Sequence, residues 1–250
     1  MRKGYQNNYS LIQNDAVHNI TGRTKKALTT LKILQDYFNN KTDSLVVLDI
    51  GASTGIIDNF LADHFHSITG VDIDEPAIQY AKTSFSKENL RFKIADAMNI
   101  DEPDAHFDII LCSHVYEHVP DQKKLMNEIY RLLKPHGICY FSAGNRLNIM
   151  EPHYRLPFLS IMPHFFAHIY LRLLGRGKYY YEEHKTLWGL RKLVTKFKLH
   201  DYTHKLIDHP DDFEVSYMLP AGSFKTGFAR FISRYCYWLM PGYIWLLEKK

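Results

Sequence analysis

The sequence has few cysteines, no long apolar run and little excess charge of either sign. Its three cysteines, Cys112, Cys139 and Cys236, are odd in number and far apart, so they suggest neither a disulfide framework nor a cysteine metal site. The longest uncharged apolar run, residues 235–247, is shorter than the roughly 20 residues that a membrane-spanning helix needs. The start of the chain lacks the apolar region of a signal peptide. We therefore expect a cytoplasmic chain in a reducing compartment.

The formal net charge is only +4, from 31 basic and 27 acidic residues. This excess is too small to predict a nucleic-acid partner, although it would tolerate an anionic surface. A chain of 250 residues with 46% apolar content is long enough for one large α/β domain with a substantial core.

Strand-like apolar runs alternate with helical patterns along most of the chain. This alternation predicts an α/β fold, a Rossmann-like, doubly wound and mostly parallel sheet of seven strands. Helical insertions follow the fifth strand and precede the last one. The predicted strands are residues 44–51, 67–74, 90–96, 107–113, 137–145, 200–207 and 243–250.

We predict a single domain over residues 1–250 with four parts. The parts are an N-terminal helical cap (1–43), a core (44–145), a helical lid insertion (146–182), and a segment that completes the sheet and carries an amphipathic helix (183–250).

Residues 114–118 read His-Val-Tyr-Glu-His, which has the spacing of a zinc-protease signature. That chemistry would need the two histidines on one helix. Here His114 directly follows an apolar strand, and Pro120 interrupts any helix soon after His118. The context therefore excludes a zinc protease and predicts that residues 114–118 form the loop that follows the fourth strand.

The stretch "VLDIGASTG" places Gly51 and Gly55 at a strand-to-helix turn, where backbone N–H groups can approach a ligand and the helix N-terminus favours negative charge. Asp72 closes the second strand, where a carboxylate can accept both hydroxyls of a ribose. Asp96 ends the third strand. These positions lie at the carboxyl ends of parallel strands, where open α/β sheets bind ligands.

A nicotinamide enzyme is a remote alternative. The dinucleotide fingerprint needs glycine where the chain has Ser53 and Ile56. The pair Tyr181 and Lys185 has the spacing of the catalytic pair of short-chain dehydrogenases, but Ile57 replaces a glycine of that family's loop.

Residues 44–145 resemble the class I S-adenosylmethionine-dependent methyltransferases, in particular the methyltransferase-type-11 set, which includes enzymes of quinone biosynthesis and natural-product tailoring. The resemblance rests on five motifs in order: "VLDIGASTG", "GVDID", "IADAMNI", "FDIILCSHVYEHVPD" and "RLLKPHGICYFSAGN". One departure is Ser53 in place of the middle loop glycine, and serine is small enough for the same position. The resemblance implies S-adenosylmethionine as cofactor and methyl transfer to a small or lipid-linked acceptor, with oxygen the expected methylated atom. A non-catalytic binding module with this fold is the alternative.

The resemblance also implies roles for single residues at the nucleoside end of the cofactor. Asp72 is expected to hold the ribose hydroxyls, and Ile73 to pack on the adenine. Asp96 and Ala97 are expected to read the amino edge of the adenine.

At the methionine end, Asp49 is expected to face the ammonium group, and Ser113 and His114 to lie beside the sulfonium. Arg23 is either a partner of the methionine carboxylate or a solvated charge at the start of a helix. The loop residues expected to line the methionine and ribose are Gly51, Ala52, Ser53 and Gly55.

An oxygen acceptor must lose its proton, and a histidine whose pKa lies near neutrality suits that task. The candidates are His114, His118 and His153. Ubiquinone-type O-methyltransferases carry a Glu-x-x-Glu-His version of this segment that can hold a divalent metal, but His114 replaces the first glutamate here. We therefore expect no metal site, and Glu117 with His118 can also serve as a loop brace.

Two aromatic helical patterns follow the core. Our preferred interpretation is a lid that buries its apolar face over the acceptor pocket. Both patterns also carry arginines and lysines, and basic amphipathic helices can lie on a membrane surface. Residues 154–174 and 224–247 are therefore candidates for peripheral membrane contact. The apolar positions are Phe158, Ile161, Met162, Phe165, Phe166, Ile169 and Leu173 in the first pattern, and Phe224, Phe228, Phe231, Ile232, Tyr235, Trp238 and Leu239 in the second.

Overall fold

The structure is a computed structural model that describes residues 7–12 and 14–250, without the side chain of Ala16. The first six residues and Gln13, which belong to the predicted N-terminal cap, lie outside the described residues. The helices are α1 (Tyr9–Ile12), α2 (Asn14–Val17), α3 (Ile20–Tyr37), α4 (Ile56–Leu61), α5 (Glu75–Ser84), α6 (Gln122–Leu132), α7 (His164–Leu173), α8 (Leu187–Leu193), α9 (Thr203–Asp208) and α10 (Phe224–Tyr235), with a 3₁₀ turn at Tyr237–Leu239. The strands are β1 (Val46–Ile50), β2 (Ser67–Asp72), β3 (Leu90–Ile94), β4 (Phe107–Ser113), β5 (Leu133–Gly144), β6 (Met150–Glu151), β7 (Leu156–Pro157), β8 (Phe197–Asp201) and β9 (Gly242–Lys249).

Seven strands form one sheet in the order β3-β2-β1-β4-β5-β9-β8. The pairs β3–β2, β2–β1, β1–β4 and β4–β5 are parallel, whereas β9 runs antiparallel to both β5 and β8. The predicted Rossmann-like, mostly parallel sheet of seven strands is confirmed. The strand order reverses between β1 and β4, and this switch point is where such sheets bind their ligands.

Helix α6 shows how local sequence produces these layers. The Asp121 side chain caps the helix by accepting from the backbone N–H groups of Lys123 and Lys124. Leu125, Ile129 and Leu132 recur at helical spacing and are all fully buried. The same face therefore packs on the sheet over the full length of the helix.

The predicted strand over residues 200–207 is wrong in its second half. Strand β8 ends at Asp201, whose carboxylate accepts from the Thr203 N–H and starts helix α9. Leu206 and Ile207 are buried on that helix. Their apolar character reflects burial on a helix, and a short apolar run does not distinguish the two structures.

The insertion after β5 is less helical than its sequence predicts. Pro152, Pro157 and Pro163 fall in or beside the short β6–β7 hairpin and the turns before α7, because proline lacks the N–H that a helix interior needs. Only α7 is helical between residues 146 and 182. A small core of its own holds this segment together, made of Leu156, Leu159, Ala167, Leu171 and Tyr180.

The expectation that a lid buries the aromatic face of this insertion is also wrong. Most of that face is exposed: Phe158, Ile161, Phe165, Phe166, Ile169 and Leu173. Helix α10 exposes its aromatic face as well, at Phe224, Phe228, Phe231 and Tyr235. None of the described helices is long and apolar enough to cross a membrane.

Tyr116 joins the exit of β4 to two other parts of the chain. Its ring is fully buried. Its hydroxyl donates to the carbonyl of Gly144 at 2.6 Å and accepts from the Lys185 N–H at 3.1 Å. A single phenol therefore ties the β4 loop to the end of β5 and to the segment before α8.

We expect Tyr116→Phe to lower the free energy of unfolding by about 1–3 kcal/mol, because it leaves a partly buried carbonyl and a partly buried N–H without their partner. Urea unfolding followed by circular dichroism measures this change. The matched control is Tyr130→Phe, whose hydroxyl meets the Lys250 carbonyl at an exposed position. A loss no larger than that of the control would contradict the bridging role.

Candidate functional site

The turn after β1 needs glycine at two positions. Gly51 has φ +87°, and a Cβ there would lie 2.5 Å from the Val115 side chain. Gly55 has φ +70°, and a Cβ there would lie 2.5 Å from the ring of Phe92. The turn is held to β2 because the N–H groups of Gly51 and Ala52 both donate to the Val71 carbonyl, at 2.8 and 3.1 Å. The loop therefore packs closely under the carboxyl edge of the sheet.

Ser53 occupies the left-handed region as well, with φ +53°, which explains why related chains can use glycine here. Its N–H donates to Asp72 Oδ2 at 2.8 Å, and its hydroxyl accepts from Arg23 Nη2 at 3.3 Å. Asp72 Oδ1 accepts from the Asp74 N–H at 2.9 Å. Burial raises the pKa of Asp72, and these backbone bonds oppose the shift. The carboxylate is thus fixed in orientation at the end of β2.

Asp49, near the end of β1, belongs to a buried group of charges. Asp58 on α4 is fully buried close to it, and Arg23 on α3 is the nearby cation. Burial raises the pKa of Asp49 to about 7 and holds that of Asp58 well above its usual range, since one guanidinium does not offset two buried carboxyls. Burial also lowers the pKa of Arg23, so this residue is not a solvated surface charge.

The predicted nucleoside contacts lie at the ends of the next strands. Ile73 directly follows β2 and is half-buried. Asp96 and Ala97 lie in the turn after β3, where Asp96 Oδ1 accepts from the Met98 N–H at 2.9 Å. Ser113 is the last residue of β4. The structure thus brings every predicted cofactor residue to one edge of the sheet, and their individual roles stay predictions.

His114 stands at the exit of β4 with φ +56°, a conformation that costs free energy in a residue other than glycine. Its N–H donates to the Ser142 carbonyl at 2.9 Å. Its ring nitrogens lie 3.3 Å from Ser142 Oγ and 3.3 Å from Glu117 Oε1. The ring therefore bridges the ends of β4 and β5.

His118 and His153 meet beside this bridge, with ring centroids 4.9 Å apart. The ring of Tyr9, from the N-terminal segment, lies 5.4 Å from that of His118. His118 Nδ1 is 3.9 Å from Glu182 Oε1, and His153 Nδ1 is 2.5 Å from Glu151 Oε1. All three histidines predicted as base candidates are thus collected around buried carboxylates.

These neighbours shift the acid–base properties of the cluster in different directions. Burial alone would raise the pKa of Glu117, but the His114 hydrogen bond and nearby imidazoles outweigh it and hold that pKa at about 2. Burial lowers the pKa of His118. Burial lowers the pKa of His153, but the hydrogen bond that this ring donates to Glu151 and the charges of the surrounding carboxylates outweigh burial and raise that pKa above its usual value. The pKa values of the two neighbouring imidazoles are therefore shifted in opposite directions, down at His118 and up at His153.

Several residues of the site carry no sequence signal. Glu182 and Tyr9 are distant in sequence from every motif, and Asp58 lies in the middle of a short helix. Glu151 lies near the start of the insertion and His184 just after its end, and only the "EPHY" string, which contains Glu151 and His153, pointed to this region. Their burial among polar partners is a tertiary property that periodicity does not record.

The structure supports neither the zinc-protease interpretation nor the short-chain dehydrogenase interpretation. Residues 114–120 form turns without a helix, so the zinc-protease spacing does not place two histidines on one helical face. Residues 178–184 also contain no helix, so Tyr181 and Lys185 are not one helical turn apart as the dehydrogenase pair would be.

Comparison with known proteins gives a match to the methyltransferase domain family over residues 48–141. The chain is similar to a ubiquinone biosynthesis O-methyltransferase from Coxiella burnetii, with 35% identity over 102 residues. That alignment covers 40% of this chain and 44% of the relative, so the chain spans less than half of the curated protein it matches.

Among solved structures, the chain resembles an S-adenosylmethionine-dependent methyltransferase from Mesorhizobium loti with a TM-score of 0.56 and 14% identity, over 84% of this chain and 93% of that one. It also resembles the [4+2]-cyclase SpnF with a TM-score of 0.50 and 17% identity, over 88% of this chain and 81% of that one. At these identities, the similarity concerns the fold.

The buried acid pair predicts a pH-dependent stability. An acid whose pKa is raised by folding binds its proton more tightly in the folded chain, so the stability it contributes is lost as the pH rises through the folded pKa, about 7 for Asp49. We expect the free energy of unfolding to fall from the usual aspartate range, about pH 4, up to about pH 7, and to fall less in Asp58→Asn. Urea titrations at each pH measure this.

The control is Asp63→Asn, an exposed carboxyl just after the same helix, which should retain the wild-type pH profile. If Asp58→Asn showed the same decline as the wild type, the two carboxyls would not form the proposed pair.

Proposed function

We propose that this chain, whose residues 48–141 match the methyltransferase domain family, is a class I S-adenosylmethionine-dependent methyltransferase that transfers the methyl group to an oxygen of a small or lipid-associated acceptor. The proposal rests on the positions of the charged residues and the histidines along one edge of the sheet. The fixed Asp72 carboxylate and the Asp49–Arg23 charges lie at the ends of β2 and β1, and the histidine cluster lies at the ends of the adjacent β4 and β5.

The residues at the β1 end fit an amino-acid group. Asp49 offers a carboxylate for the methionine ammonium, and Arg23 offers a guanidinium for the methionine carboxylate. Arg23 is already directed to the glycine loop through Ser53 Oγ. When bound, S-adenosylmethionine supplies a methyl group on an activated sulfonium. The methionine ammonium would also favour the charged form of Asp49. We therefore expect this buried carboxyl to release its proton when the cofactor binds.

The residues at the β2 and β3 ends fit a nucleoside. Asp72 retains free lone pairs for the ribose hydroxyls, because each carboxylate oxygen accepts one backbone N–H and has room for another donor. Ile73 offers an apolar contact to the adenine. Asp96 and Ala97 border the adenine edge, and Ser113 with His114 border the sulfonium.

We assign the proton-accepting role to His118. It is neutral at pH 7 because burial lowers its pKa, and its side chain keeps 19% of its surface exposed. His114 is engaged on both nitrogens by Ser142 and Glu117, and His153 is held by Glu151. These two position the cluster. Proximity and alignment supply most of the remaining rate, since the sulfonium needs no further activation.

The similarity to a ubiquinone biosynthesis O-methyltransferase supports an oxygen acceptor of lipid character as a proposal for this chain. The exposed aromatic faces of residues 154–174 and 224–247 support the same view. Arg230 and Arg234 lie on α10 with its exposed phenylalanines, an arrangement that suits an anionic lipid surface. We propose that these faces contact the membrane from which the acceptor is taken.

A non-catalytic module is the second candidate, because a fold by itself does not establish an activity. Methylation of an acceptor from cell extract, tested separately in lipid and soluble fractions with labelled S-adenosylmethionine, distinguishes the two. Tight cofactor binding without methylation of any fraction would favour the module.

Asp72→Ala should weaken S-adenosylmethionine binding by about 1–3 kcal/mol, because hydrogen bonds to the ribose are lost. Isothermal titration calorimetry measures this, with Asp101→Ala, an exposed acid in the segment between β3 and β4, as the control with unchanged affinity. Binding of NAD without binding of S-adenosylmethionine would overturn the cofactor assignment.

His118→Gln should lower kcat about 100-fold or more while leaving the KM for S-adenosylmethionine unchanged, because only proton removal is affected. In the wild type, kcat should decline as the pH falls below the usual histidine range. His106→Gln, an exposed histidine at the amino end of β4, is the control. A kcat equal to that of the control would refute the role of His118.

Phe228→Ser with Phe231→Ser should reduce flotation with vesicles of phosphatidylcholine and phosphatidylglycerol, because α10 loses its apolar contact. The double control is Tyr80→Ser with Ile94→Ser, two exposed apolar side chains on α5 and β3. Membrane contact is contradicted if wild-type protein fails to float, or if both double variants float equally.

A further inference from the structure

Three largely buried side chains, one of which is His153 of the His118–His153 pair, form a compact group of metal-ligating atoms. Glu151 lies in β6, His153 follows it directly, and His184 precedes α8. Their side chains are 0%, 11% and 3% exposed. One ligand atom from each lies within 4.8 Å of the other two.

The carboxylate is at the centre of this group. Glu151 Oε1 is 2.5 Å from His153 Nδ1 and 3.7 Å from His184 Nε2. Its other oxygen, Oε2, accepts from the Tyr154 N–H at 2.8 Å, which fixes the orientation of the carboxylate. Oε1 is thereby directed between the two imidazoles.

His184 is almost fully buried, and its nearest polar contact is the Glu151 carboxylate at 3.7 Å, which is too long for a hydrogen bond. Neither ring nitrogen has a hydrogen bond among the described residues. A Cβ on Gly144 would lie 3.2 Å from the His184 ring, so the imidazole is packed against the end of β5. Buried polar atoms are almost always hydrogen-bonded, and a cation held jointly by this imidazole and the adjacent carboxylate would satisfy both groups.

We propose that Glu151, His153 and His184 bind a divalent transition-metal ion, of which Zn²⁺ fits best. Two imidazoles and one carboxylate are a ligand set that Zn²⁺ uses, and three protein ligands leave one coordination position open. The ion takes the place of the proton between Glu151 and His153, and gives His184 its partner. The sequence led us to expect no metal, but that expectation rested on residues 114–118, which contribute no ligand to this site.

A second overlapping group, Glu117, His118 and His153, is less suitable. Glu117 Oε1 is engaged by His114 at 3.3 Å, and the Tyr9 ring packs on His118. Occupation of that group would also leave both nitrogens of His184 unpaired. The first group is therefore the assigned site, and His118 is left free to accept a proton.

The open coordination position is suited to an oxygen of the acceptor, and this part of the inference rests on the proposed function. Metal binding itself does not, because no ligand is a predicted contact of S-adenosylmethionine. The two ideas are therefore tested by separate measurements.

The test uses the full chain, stripped with a chelator and then titrated with Zn²⁺ and, separately, with Co²⁺. We expect one Zn²⁺ per chain by calorimetry, a higher Tm at saturation, and visible Co²⁺ absorption of the intensity that four-coordinate sites give. Absence of stoichiometric binding would overturn the proposal.

Five variants locate the ion. His184→Gln and Glu151→Gln should weaken Zn²⁺ binding at least 10-fold, and His184→Cys should restore it, because a thiolate is a zinc ligand. His209→Gln, an exposed histidine, should bind as the wild type does. Loss of binding in His118→Gln together with wild-type binding in His184→Gln would overturn the assigned ligands. The rescue by cysteine shows that a loss in the glutamine variant is not misfolding.

Calorimetry with S-adenosylmethionine on the same variants separates this proposal from the proposed function. Cofactor affinity should be unchanged in His184→Gln. Cofactor binding without Zn²⁺ binding contradicts the metal site alone, whereas Zn²⁺ binding without cofactor binding contradicts the proposed function alone.

Discussion

Parallel pairing of β1 with both β2 and β4 is the constraint on which the site depends. Because the strands run in the same direction, their carboxyl ends meet at one edge of the sheet. Asp49, Asp72 and Ser113 are therefore neighbours in space although they are far apart in sequence. Strand β9 pairs with β5 in the antiparallel direction. It therefore extends the buried sheet without adding another carboxyl end to this edge.

Much of this edge could be predicted because strand patterns alone locate strand ends. The apolar runs placed Asp72 and Asp96 after their strands, and parallel topology then brought them together. The remainder depends on contacts between distant segments. Glu151 and His184 become part of the site only when the β6 hairpin and the segment before α8 pack on the end of β5. The buried apolar residues of α9 were assigned to a strand because a run of that length fits both structures.

The site has two halves, the Asp49–Asp58 pair and the histidine cluster with Glu117 and Glu151. They show how neighbouring groups decide whether the pKa of a buried carboxyl is raised or lowered. At Asp49 and Asp58, two acids share one guanidinium, and burial raises both pKa values. At Glu117 and Glu151, imidazoles and hydrogen bonds outweigh burial and hold both pKa values at about 2. The first half is thus prepared for a cationic ligand, and the second holds negative charge that a proton, an acceptor group or a metal ion can neutralise.

The central claim is that one edge of this sheet binds S-adenosylmethionine next to a histidine-lined acceptor pocket. The most direct measurement is a crystal structure of the full chain with S-adenosylhomocysteine. The account predicts the ribose at Asp72, the amino-acid group between Asp49 and Arg23, and the sulfur directed to the side of His118. A ligand bound elsewhere, or one with its ribose away from Asp72, would contradict the account.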